Sequence, residues 1–199
     1  IIINVIVFGI EVTITGQFIE FSNYEAMNMF LTWGAVPGCV TGQIDGVNTG
    51  VEIINCPAIP EVTLITSTFM HGGIMHLGGN MLFLWIFGDN IEAKFGRVKY
   101  IGIYLMWGVG AGLIHIYGDA GSGIPAVGAS GAIAGILGAY LVMFPRAKVM
   151  TFVMLGFFWR MMHIPAKFFL PFWLIFQNLL PFFIGGFGVA GGGVAFLAH

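Results

Sequence analysis

Gly128-Ala129-Ser130-Gly131-Ala132-Ile133-Ala134-Gly135-Ile136-Leu137-Gly138 sets a serine between glycines at the head of an uncharged, apolar run. Glycines at 131, 135 and 138 recur at spacings that let helices approach closely in lipid, where packing takes over from the hydrophobic drive. The run ends at Phe144-Pro145-Arg146, because proline cannot continue a helix. Before it, Gly121-Ser122-Gly123-Ile124-Pro125 is too rich in turn formers to be helical. The serine therefore stands where irregular backbone meets a short apolar helix.

The rest of the chain says what surrounds that helix. It is 58% hydrophobic and 8% charged over 199 residues, with mean hydropathy +0.94. Soluble domains carry about 25% charged residues, so this is an integral membrane protein of the all-α, polytopic class. Apolar stretches are expected to span at about 1–21, 64–88, 98–117, 126–144, 165–184 and 189–199, with a mixed loop at 22–62. The last stretch stops at His199, so the sixth helix is expected to be truncated in this chain. Six spans leave no room for a second domain, and 1–199 reads as one membrane-embedded unit.

Charge sets the orientation. All seven Lys and Arg fall in two loops, Lys94, Arg97 and Lys99 after the second span and Arg146, Lys148, Arg160 and Lys167 after the fourth. Positive loops face the cytoplasm, which places the N-terminus there and residues 22–62 outside. The outer side holds Glu25, Asp45, Glu52, Glu61 and Asp119 and no basic residue. The net charge of −2, with no basic run, argues against nucleic acid as a partner. So compact a core suggests a prokaryotic plasma membrane.

Polar groups inside a membrane are costly and are functional candidates by default. Here they are His71, His76 and Asn80 on the second span, Ser130 on the fourth and His199 on the sixth. His76 and Asn80 are four apart and share a helix face. His71 and His76 are roughly 140° apart around a helix, and no Glu follows either His as in a zinc-protease motif, so no metal site is expected. At ~1.5 Å per residue from the inner ends of their spans, Ser130 lies ~22 Å, His76 ~18 Å and Asn80 ~12 Å deep. Irregular backbone at 121–125 is tolerated there only beside protein or a water-filled cavity. A wet cavity open to the outer side, with Ser130 at its floor, follows. No cofactor is implied. Cys39 and Cys56 both lie in the outer loop, where an oxidising compartment permits a disulfide between them as one alternative to free thiols.

Taken together, these residues resemble the rhomboid family of intramembrane serine proteases. The resemblance rests on His71-Gly72-Gly73-Ile74-Met75-His76-Leu77-Gly78-Gly79-Asn80, on the stretch from Phe87 to Gly96 that includes Glu92, on Gly128-Ala129-Ser130-Gly131, and on Gly191 to His199. It implies a six-helix rhomboid-like bundle in the lipid bilayer that cuts transmembrane protein substrates near their outer ends. By that resemblance Ser130 is the nucleophile and His199 the general base, a dyad without a carboxylate. The Ser130 N–H and the side chains of His76 and Asn80 are the implied oxyanion donors. His71, Glu92, Gly128 and Gly131 are expected to support the site structurally, and His115 and His163 have no matching role. A catalytically silent relative that binds and routes membrane proteins is the alternative, although such a relative is expected to lack the serine or the histidine. A channel or transporter would want paired ionisable groups along a pathway, and the chain has none.

Overall fold

The computed structural model describes residues 1–155 and 158–185. The sixth span expected at 189–199, and His199 with it, lies outside the described residues. Helices make up most of the rest. Among the described residues, α7 (Arg97–Gly118) alone has both the length and the apolar composition to cross a membrane. Three further apolar stretches of helix are shorter, α1 (Ile2–Thr15), α8 (Ser130–Met143) and Ala166–Ile175. The last, α9, covers Ala166–Gly185.

Two expected spans differ from single helices, for local reasons. The first stops at Thr15 because Gly16 takes a left-handed conformation (φ 66°) and returns its N–H to Val12 O. The stretch at 64–88 is broken. Helix α4 (Thr63–Thr66) and a 3₁₀ turn (Ser67–Phe69) come first. Met70 is extended and Gly73 has φ +153°, after which α5 (Ile74–Phe83), a π-helical turn (Leu84–Gly88) and α6 (Asp89–Phe95) follow without interruption.

All-α is also too strict a class. Lys148–Leu155 (β3) and Phe158–Pro165 (β4) pair antiparallel, from Lys148↔Pro165 to Leu155↔Phe158, in the loop read only as a basic connection. Val149, Thr151, Phe152 and Val153 are strand formers, which charge counting alone overlooks. His163 sits opposite Met150 in this ribbon.

The stretch 22–62 between the first two expected spans is folded. It holds α2 (Tyr24–Trp33), α3 (Pro37–Val40) and a small hairpin of β1 (Gly46–Asn48) with β2 (Ile53–Asn55). Asn23 caps α2 by accepting the Ala26 N–H at 3.0 Å. Leu31, Val36 and Cys39 form a small buried cluster with Ile44, Val47 and Ile54 against it. The Tyr24 hydroxyl donates to Glu52, and this hydrogen bond holds the phenol above its ordinary pKa. Cys39 and Cys56 are joined by a disulfide across 17 residues. In the chain-entropy account, closing such a loop contributes about 3 kcal/mol. Cys39→Ser is therefore expected to lower unfolding stability by about that amount, read from thermal unfolding beside the parent under non-reducing conditions.

The main core lies where α7 and α8 pack together with the helical run from Ile74 to Phe95. Phe87, Ile91, Ile133, Ile136, Leu137 and Leu170 are its centre. Two close contacts of α7 depend on glycine, one with α8 and one with the 3₁₀ turn at Ser67–Phe69. A Cβ at Gly135 would sit 2.4 Å from the Trp107 ring, and one at Gly108 would sit 2.6 Å from Thr68 Cγ2. Phe83 and Trp173 stack at 4.0 Å between centroids and hold α9 against α5.

Candidate active site

Ser130 is the first residue of α8, and the backbone before it is shaped by bonds from residues 35–41. Ala35 and Ala126 exchange both backbone hydrogen bonds (3.0 and 2.9 Å), Gly38 N–H donates to Ser122 O, and Thr41 Oγ1 donates to Ala120 O. Gly128 then donates its N–H to Ser67 O at 2.9 Å. These bonds satisfy non-helical backbone that lipid alone would leave orphaned. Ser130 is half-buried, and as a first-turn residue its N–H has no partner within the helix.

His76 comes to the same place from α5. The chain at 70–73 is pinned by Phe21 N–H to Gly72 O (2.9 Å) and Ile74 N–H to Phe18 O (3.1 Å). Within that turn, Gly72 N–H donates to His76 Nδ1 at 3.2 Å. A nitrogen that accepts carries no proton, so the neutral ring bears its proton on Nε2. That nitrogen borders Gly128. A methyl group at Gly128 would stand 3.0 Å from His76 Nε2 and Cε1 and 3.6 Å from Ser130 Oγ. The imidazole and the hydroxyl thus flank one glycine, whose φ of +133° a side chain would strain. Gly128→Ala is expected to push the His76 ring out of its place beside Ser130, as a shift of its ring signals in nitrogen-15 NMR of the histidine-labelled protein would show.

Asn80 lies one turn further along α5 and is buried, with no hydrogen-bond partner for Nδ2 among the described residues. His71 is fully buried. Its Nδ1 faces Phe69 O at 3.1 Å, its backbone N–H reaches the Glu11 carboxyl, and its ring meets His76 edge to face at 5.2 Å. Glu92 pairs with Arg97 at 3.5 Å, and since the Arg97 side chain is 91% exposed the pair adds little stability. Gly131, the second residue of α8, lines the cavity beside the serine.

That cavity is about 30 Å³, lined by Ser67, Thr68, Gly108 and His115 together with Gly128 and Ser130. It has room for about two waters. His115 Nδ1 is buried there without a partner among the described residues. The sequence marks His115 only as a polar residue on an apolar helix; what it faces depends on how α7 packs. Glu11 was likewise visible only as an interruption of the first span, yet it is 2% exposed and bonded to the turn that carries His76.

Comparison with known proteins shows the family. A model of the Rhomboid domain matches residues 61–199. Rhomboid protein 1, mitochondrial, of Saccharomyces cerevisiae is 33% identical over 97 residues, which cover 47% of this chain and 28% of the yeast protein. RHOMBOID-like protein 5 of Arabidopsis thaliana is 38% identical over 78 residues, covering 39% of this chain and 25% of the plant protein. The human presenilin-associated rhomboid-like protein, mitochondrial, is 32% identical over 88 residues, covering 43% and 23%. The matched part is thus about a quarter of each relative's length. With the family model covering more than half of its length, and a mostly helical membrane fold around the matched motifs, this chain belongs to the rhomboid family.

Proposed function

We propose that the chain is an intramembrane serine endopeptidase that cleaves transmembrane segments of other membrane proteins. The observation that carries this reading is the juxtaposition at Gly128, where the Nε2 edge of a tautomer-fixed His76 and the hydroxyl of Ser130 flank one glycine beside a small cavity. Ser130 Oγ attacks the scissile carbonyl carbon while His199 takes the hydroxyl proton. The role of His199 rests on the family resemblance. Charge develops on the carbonyl oxygen, where the Ser130 N–H, His76 Nε2–H and Asn80 Nδ2–H donate to it. Collapse breaks the C–N bond, and His199 returns the proton to the leaving amine. A water from the cavity then attacks the acyl carbon, its proton passing to His199; collapse breaks the C–Oγ bond, His199 returns that proton to Ser130, and the acid is released. That Asn80 Nδ2 has no partner among the described residues supports this assignment, because a buried donor without a partner costs about 1–3 kcal/mol unless a ligand supplies the acceptor.

In this reading residues 1–199 belong to one membrane-embedded protease domain of six spans, with the N-terminus on the basic, cytoplasmic side and residues 22–62 across the membrane. The substrate's helix must open near its outer end before its carbonyl meets Ser130, because helical carbonyls are already bonded. A prokaryotic plasma membrane is the setting that the compact core suggests, against the mitochondrial names of two of the relatives above.

Fluorophosphonate labelling of the full-length protein in detergent tests the proposal. The expected result is one covalent adduct, mapped by peptide mass spectrometry to Ser130. A folded protein that takes no label would overturn the protease reading and favour a rhomboid-like binding protein.

A further inference from the structure

Glu11 is the one charged side chain of α1, buried to 2% exposure, where an ionisable group is expensive. Its two oxygens both accept the backbone N–H of His71, at 3.1 and 3.3 Å. That N–H belongs to the break in the second span, and the next N–H in the chain, that of Gly72, is the one that fixes the His76 tautomer. Helical bonds reach this break at its two ends, Met70 N–H to Ser67 O and Leu77 N–H to Gly73 O. The segment Phe18–Phe21 fixes it from one side, and Glu11 fixes it from the other.

We propose that Glu11 is a positioning residue for His76, holding the Met70–Gly73 turn so that the Gly72 N–H meets Nδ1 and Nε2–H points toward Gly128 and Ser130. The inference rests on the protease reading only for its effect on rate; its structural half stands on the hydrogen bonds alone. Two features argue for positioning beyond satisfying one N–H. The contact joins residues 60 apart in sequence, from a helix that adds no other side chain to the turn's hydrogen bonds, and the bonded residue carries the ring that packs edge to face on His76. Reach is therefore what matters at position 11, more than polarity.

The test compares two amides. Glu11→Gln keeps an acceptor oxygen at the same reach, whereas Glu11→Asn is one methylene short. In the full-length protein, Glu11→Gln is expected to stay within about 3-fold of the parent kcat. Glu11→Asn is expected to lose about 10–100-fold in kcat with KM unchanged, part of what removing one oxyanion donor costs. Nitrogen-15 NMR of histidine-labelled protein reads the second half directly. His76 is expected as the Nε2–H tautomer in the parent and the Gln variant, and as a mixture of tautomers in the Asn variant. Where Glu11→Asn does not fold, Glu11→Ser replaces it as the short variant. Equal kcat and equal His76 spectra in the long and short variants would overturn the inference. A parent that cleaves nothing sinks the protease reading, while the His76 spectra still decide whether Glu11 sets the ring.

Discussion

Ser130→Ala is expected to lower cleavage of a transmembrane substrate by on the order of 10⁴-fold or more while leaving the fold intact. A catalytic serine works as a unit with its base and its oxyanion donors, so losing the nucleophile removes nearly all the benefit of the others. The stability cost is expected to be small, within about 0.5 kcal/mol, because a single oxygen is lost from a half-buried position at the end of a helix. Two measurements check this, initial rates in proteoliposomes and thermal unfolding of the same preparation. Cleavage by the variant at the parent rate would show that another group attacks the substrate.

Gly73→Ala is expected to be the most damaging substitution for the fold, destabilising by at least about 3 kcal/mol. Gly73 has φ +153° and ψ 173°, a backbone region open essentially only to glycine, and an alanine there carries strain of roughly 1–3 kcal/mol. Its methyl would also stand 2.2 Å from Ile19 O, a backbone atom with no side-chain freedom to move aside. Relief would require Phe18–Phe21 to leave the turn, breaking the bonds to Gly72 and Ile74 together. His76 would then lose its fixed ring, so activity should vanish with stability. Denaturant unfolding in detergent gives the first quantity, and a variant as stable as the parent would refute the account of this turn. The contrast with Gly128→Ala is informative, since that substitution meets a side chain and touches the proposed chemistry more than the fold.

What could be read in advance followed from local signals. The third span, expected at 98–117, is helical from Arg97 to Gly118, since no Pro interrupts it and Gly96 precedes it. The irregular approach to Ser130 was announced by Gly121, Gly123 and Pro125, and α8 begins at the serine. Where the signals are non-local, reading failed. The pairing of Lys148 with Pro165 depends on a ribbon that charge alone hid. The second span, expected as one stretch at 64–88, is broken at 70–73, and the partners of that break, Glu11 and Phe18–Phe21, come from about 50 to 60 residues earlier. The tautomer of His76 is set by one backbone N–H, which no residue pattern encodes. His115 was assigned no role because its meaning depends on which neighbour it faces across α7.

The hydrogen bonds from Ala35, Gly38 and Thr41 to Ala126, Ser122 and Ala120 have a consequence for biogenesis. The outer loop emerges first, yet its bonding partners are synthesised up to about 90 residues later, after α7. In the proposed topology the two meet only on the far face, once the loop has been translocated and its cysteines have entered an oxidising space. A nascent chain with its loop still on the basic side can insert helices but cannot frame Ser130. The order of membrane insertion would thus act as a zymogen-like safeguard, keeping the serine idle until the protein has reached its final topology.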